Sequence, residues 1–589
     1  MTKAADDDSV EREKLDGRVA FAAAAFLLAY AFVALLDRVG APIALVETAA
    51  PYFTILALGA LGAMLHSMRA SYYYTAGRAV PAEYAGFAKA TLVAGVIAPF
   101  AAYLVTRPWL IGVCGGLFAG VALTGYFLGP ILRKSGAFSL SGLLGARFPG
   151  LGPRLAIIGL ACASSALVAL AAQQSAVDAL TGILGSGRGF AAVVIGVGIL
   201  AIAGPGGLLG TIWTACAAGA VALAGFGWPA LSLAWRGVRP FSDAGGSTWR
   251  EAAAQLEGWA AIAPSSGYGV DVAAAVAIML GAATLAPLLG PAITTRKPSS
   301  ARMAGYAAFG WTFVFAWLIA ATLAGATLSL TRQGVGEPPG RLPGALYTAS
   351  AHGLVTICGA RTPDPSSALQ ACAAKGVGAG VSLRPQDFGV SRDFLLTSLP
   401  ALENLGAAAS GLLASAQIAL ALALGAAGLQ AFGTALGHEA VYHMRGETDL
   451  TSRRLATTRV ALVTVAVAGS AASALDLFDP RALLALALGL STAAVAPVAA
   501  LALWSRADDR DALIALFAGL VGMVVTIVAA GGSHDVEALA AASLAGAVLG
   551  LSGGALSALS RPSNPDRAAS FVARLLYGDG DVMKPDKGA

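Results

Sequence analysis

The chain has 589 residues, of which 57% are hydrophobic and 12% charged, with a mean hydropathy of +0.72. Too little polar surface exists to clothe a water-soluble globule of this size, so a soluble fold is excluded and the bilayer is the expected solvent. The formal net charge of +5 carries its meaning through its placement between apolar blocks.

A hydrocarbon core about 30 Å thick takes roughly 20 apolar residues in helical form. Fourteen such blocks follow in chain order, at 18–37, 45–66, 84–105, 109–131, 153–177, 189–204, 206–227, 270–293, 303–327, 398–430, 454–476, 480–504, 511–531 and 535–559. They are continuous Ala/Leu/Val/Gly runs without strand-like alternation, so the expected fold class is all-α: a polytopic membrane protein of about 14 transmembrane helices. The 398–430 block is overlong and is expected to be tilted or broken. The first block is too long for a signal peptide and lacks a following cleavage site, so it is expected to be retained.

Basic residues collect in alternate loops: Arg69 and Arg78; Arg133, Lys134 and Arg147; Arg296, Lys297 and Arg302; Arg445, Arg453 and Arg454; Arg506 and Arg510. The positive-inside rule places those loops, and with fourteen spans both termini, on the cytoplasmic side. The expected location is a bacterial cytoplasmic (inner) membrane.

Between the blocks, the external segment 240–268 holds a helix start at Ser247–Glu251 followed by Leu256 and Trp259, which reads as a short interfacial helix, either an anchor or a moving lid. The Gly/Pro-rich loop 329–397 is too long for a mere connection and is expected to fold over the outer face. Cys358 and Cys372 lie in it, in the oxidising compartment, and either pair or remain free thiols. Cys114, Cys162 and Cys216 fall in helices as small buried thiols.

No phosphate-cradling loop, metal-spaced His/Cys cluster or Ser-His-Asp set is present, which argues against ATP-driven transport, membrane hydrolysis and an enzyme. His66, His438, His443 and His534 sit at block edges as interfacial residues. Polar groups inside the blocks are costly and become candidates by default. Lys89 lies a turn inside the third block and either snorkels or serves a site. Gln173 and Gln174 either bond between helices or meet a solute. Ser491 and Thr492 precede Pro497, and broken helices are where secondary transporters expose backbone to solutes.

Several segments resemble the sodium/solute symporter family, which includes acetate permeases: Tyr73-Tyr74-Thr75-Ala76-Gly77-Arg78, the run from Gly129 through Arg133-Lys134 to Ala146-Arg147-Phe148, Gly206-Gly207 with Trp213-Thr214, His438-Glu439, and Arg459. The resemblance covers residues 70–505 and implies a leucine-transporter-type core of two inverted five-helix repeats, with broken helices in 84–105 and 270–293. The implied organisation is a segment 1–17, two peripheral helices in 18–83, a ten-helix core 84–504 with external loops 228–269 and 329–397, two further helices in 505–560, and a tail 561–589. The chain departs from the family where a sodium ion is held: the eighth core helix reads Ala423-Leu424-Gly425, with its nearest hydroxyls at Ser415 and Thr434. The first core helix is equally bare at Leu92-Val93-Ala94-Gly95.

The resemblance implies a secondary active transporter of a small organic solute, a monocarboxylate such as acetate. The alternative is a non-transporting sensor or scaffold on the same fold. The expected pathway residues are Lys89 as a cation substitute or solute contact, Thr91 and Gly95 at the helix break, Gln173 and Gln174 as solute ligands, and Ser491 and Thr492 in gating. The expected partners are the solute, a coupling cation that is either sodium or a proton, and the lipid bilayer. No nucleic acid, cofactor or resident metal is expected.

Overall fold

The computed structural model describes residues 2–107, 112–185, 187–235, 243–259, 267–378, 380–442, 451–531, 536–560 and 566–577. Helices α1 (Thr2–Arg38) and α2 (Ile43–Met64) come first. Phe21, Leu27, Leu28 and Phe32 of α1 are exposed, an apolar flank suited to lipid. A short α3 (Ala70–Thr75) leads into a broken helix, α4 (Ala82–Ile97), a 3-10 turn at Ala98–Phe100, and α5 (Ala101–Thr106). Pro99 causes the break, because it has no N–H to return to the carbonyl of Gly95 and its ring crowds that turn.

Next, α6 (Gly112–Leu123) runs through a π-helical turn, Thr124–Leu128, into α7 (Gly129–Ser135). Ser139 caps α8 (Leu140–Arg147), its Oγ accepting from the Gly142 N–H at 2.9 Å. After α9 (Leu151–Leu184) comes α10 (Arg188–Trp235), 48 residues long, or about 72 Å if straight. It is not straight. Gly207 has a φ of 57°, and a Cβ on Gly210 would stand 3.0 Å from the carbonyl oxygen of Ile202, atoms about 12 Å apart in a continuous helix. The chain doubles back at Gly206-Gly207, and the blocks 189–204 and 206–227 are the arms of one hairpin.

The surface helix α11 (Asp243–Trp259) precedes a second broken helix, α12 (Tyr268–Thr284) and α13 (Ala286–Ile293), bent by 51° at Leu285. Pro287 at the start of α13 plays the part of Pro99. After α14 (Pro298–Gly334) a folded segment holds α15 (Gly344–Ala351), β1 (Val355–Ile357), α16 (Pro365–Ala374), β2 (Phe388–Val390), α17 (Arg392–Thr397) and α18 (Leu399–Leu402). The strands pair antiparallel, Val355 opposite Val390. Cys358 and Cys372 are joined by a disulfide, their Cα atoms 5.1 Å apart.

The remaining elements are α19 (Ala407–Gly433) with a π-helical end at Thr434–Tyr442, α20 (Thr451–Ala474), α21 (Pro480–Leu490), a π turn at Ser491–Val495, α22 (Ala496–Ala502), α23 (Asp509–Ala529), α24 (Val536–Leu559) and α25 (Asp566–Tyr577). The 398–430 block is therefore two elements, α18 and α19, parted where Asn404 takes a φ of 51°.

Among the described residues, 11 helices are long and apolar enough to cross a membrane, and 12 with the bent pair counted, against the 14 expected. The difference lies in α10, one element for two blocks, and in α1, where side chains of the 18–37 block lie partly outside the described residues. The halves from α4 to α10 and from α12 to α22 are built alike. Each opens on a broken helix; α4 lies along α14 as α12 lies along α6, with α9 and α19 packed together between them. Gly95 and Gly281 allow close approaches within the core: a Cβ would stand 2.9 Å from the Leu420 oxygen at Gly95 and 2.6 Å from the Leu488 oxygen at Gly281.

Candidate functional site

A cavity of about 930 Å³ runs inward from the end of the bundle that carries the disulfide, a volume typical of small-molecule sites. Its floor is the break of the first core helix, Ala98 and Pro99, with Ala101 and Ala102 beside it. Ser175, Asp178 and Gly182 of α9 form one wall at helical spacing. Gln417 of α19 lines it as well, and Leu256 and Trp259 of α11 roof it together with the folded segment. Trp259 Nε1 donates to the Pro385 carbonyl at 3.0 Å. Arg107 bridges α11 to α24, with Glu257 at 3.1 Å and Glu537 at 3.3 Å.

The charges at the mouth are largely spent on one another. Arg188 Nη2 lies 2.6 Å from Asp178 and 2.7 Å from Asp476, and Arg481 pairs with Asp479 at 3.0 Å. Gln174 Nε2 donates to Asp476 at 2.8 Å.

The opposite end is closed and basic. Tyr74 stacks on Phe138 and on His438, and the Arg454 guanidinium sits 4.6 Å over the Tyr74 ring and 5.7 Å from that of Phe138. The Tyr74 hydroxyl bonds Thr458 at 2.7 Å, and Ser139 donates to Glu439 at 2.9 Å. Burial pushes the Tyr73 and Tyr74 phenols above their usual range, so both remain neutral. Only about 40 Å³ of space remains behind this closure, beside Leu92 and Gln430. Arg133 donates to the Thr295 carbonyl at 2.6 Å, Arg147 to that of Ala507 at 2.8 Å and Arg459 to that of Gly204 at 3.1 Å. The alternate basic loops thus meet at one end, their guanidiniums capping helix ends. Tyr73, Gly207 and Arg459 also converge there, with Arg459 5.6 Å from the Tyr73 ring and no room at Gly207 for a Cβ against the Tyr73 carbonyl.

None of the seven expected pathway residues lines the large cavity. Lys89 is buried and, among the described residues, makes no hydrogen bond or ion pair; nine residues before Ala98, it lies about 13 Å inward of the break. Thr91 donates to the Phe87 carbonyl of its own helix at 3.0 Å. Gly95 abuts Leu420 and Leu424, which offer no side-chain oxygen to a cation, and the break falls three residues beyond it. Gln173 bonds Ser470 of α20 at 2.7 Å, while Gln174 belongs to the mouth. Ser491 meets the Thr284 hydroxyl at 2.9 Å and Thr492 donates to the Ala277 carbonyl at 2.6 Å, so both tie the π turn to α12 beside its bend.

His438, expected at an interface, is buried in the aromatic closure, because stacking satisfies a ring that water would otherwise solvate. His443 and His534 lie outside the described residues. Sequence reasoning missed Ser175, Gln417 and the Arg188 group. Gln417 carried the same signal as Gln173, a lone amide in an apolar block, and was overshadowed by the search for hydroxyls around it.

No protein-family model matches the chain, and no curated protein matches its sequence. Among solved structures it is similar to a Na+-coupled sialic acid symporter in a substrate-bound outward-open state, with a TM-score of 0.63 at 16% identity over 88% of this chain and 98% of that one. A transporter of the nucleobase-cation-symport-1 family, closed with bromovinylhydantoin bound, aligns at 0.44 and 14% over 87% and 100%. A variant manganese transporter of Eremococcus coleocola aligns at 0.32 and 18% over 85% and 91%. The first of these likenesses shows the fold, a leucine-transporter-type membrane fold.

Proposed function

We propose that the chain is a secondary active transporter, moving a small organic solute with a coupling cation by alternating access. The observation that supports this is the asymmetry of the pathway: a large cavity reaches a broken core helix from one end while an aromatic and cationic closure shuts the other. A broken helix at mid-membrane presents backbone groups to a solute, and rocking of the two halves would move the opening from one side to the other. The basic end is the cytoplasmic one on this reading, which sets the disulfide and the large cavity outside.

Monocarboxylates such as acetate, which the family resemblance implies, are the first solutes to test. Lys89 stands as the cation substitute, a buried lysine on the same helix as Gly95, where Leu420 and Leu424 offer sodium no side-chain oxygen. The test is uptake of labelled acetate and pyruvate into proteoliposomes under a sodium gradient, a proton gradient and neither. Accumulation under sodium identifies carbonyl-held sodium as the coupling ion, and accumulation under protons that Lys89→Ala abolishes identifies the lysine. Solute binding without flux under any gradient overturns transport in favour of a sensor or scaffold.

A further inference from the structure

Four glutamines lie within the long core helices α9 and α19, and three are committed to the protein. Gln173 donates to Ser470, Gln174 to Asp476, and Gln430, through its Nε2 alone, to the Tyr73 carbonyl at 3.2 Å. Gln417 is 3% exposed, lines the large cavity, and among the described residues makes no hydrogen bond, its Oε1 left without a partner. A buried carboxamide without a partner is destabilising, so its retention at a cavity wall points to a ligand. Its position on α19 is defined by packing. Three residues on, the Leu420 carbonyl meets Gly95 of α4, so Gln417 stands on the face of α19 turned toward the broken helix, and Ala98 and Pro99 line the same cavity.

The chemistry around it is uncharged. Near the break the lining residues are alanines, Pro99, Ser175 and Gln417, whereas the Arg188 and Arg481 ion pairs and the exposed Arg361 and His352 of the folded segment belong to the mouth. An anion brought to this depth would lose its hydration with no fixed positive charge among the residues at the break to replace it. A hydroxyl or amide loses far less and finds in Gln417 both an acceptor and a donor.

We propose that Gln417 is a solute-binding residue, and that the solute group it receives at the broken helix is an uncharged hydroxyl or carboxamide, not a carboxylate. This rests on the transport reading and selects among its substrates. The test compares acetamide with acetate and a neutral hexose with pyruvate on the purified full-length protein, by the shift each produces in melting temperature, followed by proteoliposome uptake of labelled forms. The neutral member of at least one pair is expected to raise the melting temperature of the wild type while its carboxylate counterpart does not. Gln417→Leu is expected to weaken that binding on the order of tenfold, the usual scale for one lost hydrogen bond, and Gln417→Asn to keep part of it. Should Gln417→Leu fail to fold, Gln417→Met and Gln417→Asn provide the same contrast.

Shifts from the carboxylates alone, equal binding in the leucine and wild-type proteins, or no shift from any neutral solute each overturn the assignment. The two readings fail separately. Binding lost in Gln417→Leu with no accumulation under any gradient removes transport and keeps the site, whereas accumulation unchanged in Gln417→Leu removes the site and keeps transport.

Discussion

The ring of Tyr74 lies against the imidazole of His438, 5.3 Å between centroids, and joins α3 to the π-helical end of α19 across the closed end of the bundle. Arg454 completes the contact from α20. Replacing Arg454 by Ala removes a partly desolvated cation over a ring, worth about 1–2 kcal/mol, and takes from Glu439 one of two nearby cations, leaving it Arg154. We expect Arg454→Ala to favour the state open at the basic end. In a background lacking Cys114, Cys162 and Cys216, a cysteine at Thr434 should then react faster with a maleimide added from that side; unchanged labelling would show that the closure lies elsewhere.

The close approaches at Gly95 and Gly281 leave no room for a side chain. Gly281→Val would drive a methyl into the Leu488 carbonyl and the Thr492 hydroxyl, both 2.6 Å from an added Cβ. Overpacking of this kind costs about 1–3 kcal/mol. The expected result is a lower melting temperature and loss of uptake, with Gly281→Ala milder. A fully active Gly281→Val would mean that α12 and α21 are not in register as described.

The Cys358–Cys372 bridge spans 14 residues, and a loop of that length is stabilised by about 3 kcal/mol on chain-entropy grounds. Cys358→Ser with Cys372→Ser should make the 335–406 segment cleavable by protease from the outer side while the membrane helices stay intact. Because Leu395 and His352 of this segment border the cavity, solute affinity should fall as well.

Asp364 caps α16, accepting from the Ser367 N–H at 2.8 Å and from the Ser366 hydroxyl at 2.5 Å, and these donors hold its carboxyl below the ordinary carboxylate value. For an acid whose folded value is depressed, the stabilisation is full above the unfolded value and is lost as pH falls through the folded one. Hydrogen exchange in α16 should therefore rise in acid below about pH 4, and Asp364→Asn should flatten that dependence.

Much of the bundle was legible because hydropathy reports lipid contact directly. The two broken helices fell in the blocks that the family resemblance implied, 84–105 and 270–293, and the structure sets the breaks beside Pro99 and Pro287. The site was less legible for a physical reason: in an Ala/Gly/Leu helix the faces differ little in hydropathy, so nothing in the sequence separates Gln173, turned to α20, from Gln417, turned to the cavity. Lone polar residues announce a cost without saying whether protein or solute offsets it. The short motifs that carried the family resemblance gather mainly at the closed basic end, where Tyr73, Gly207 and Arg459 meet.

The reversal at Gly206-Gly207 joins two membrane crossings with no intervening linker, and Arg459 grips its carbonyls from outside the turn. Those bonds restrain a glycine pair that would otherwise swing freely. If the halves rock as proposed, the two arms of α10 travel as a single lever pinned at its short end, and bending falls at the proline breaks between α4 and α5 and between α12 and α13.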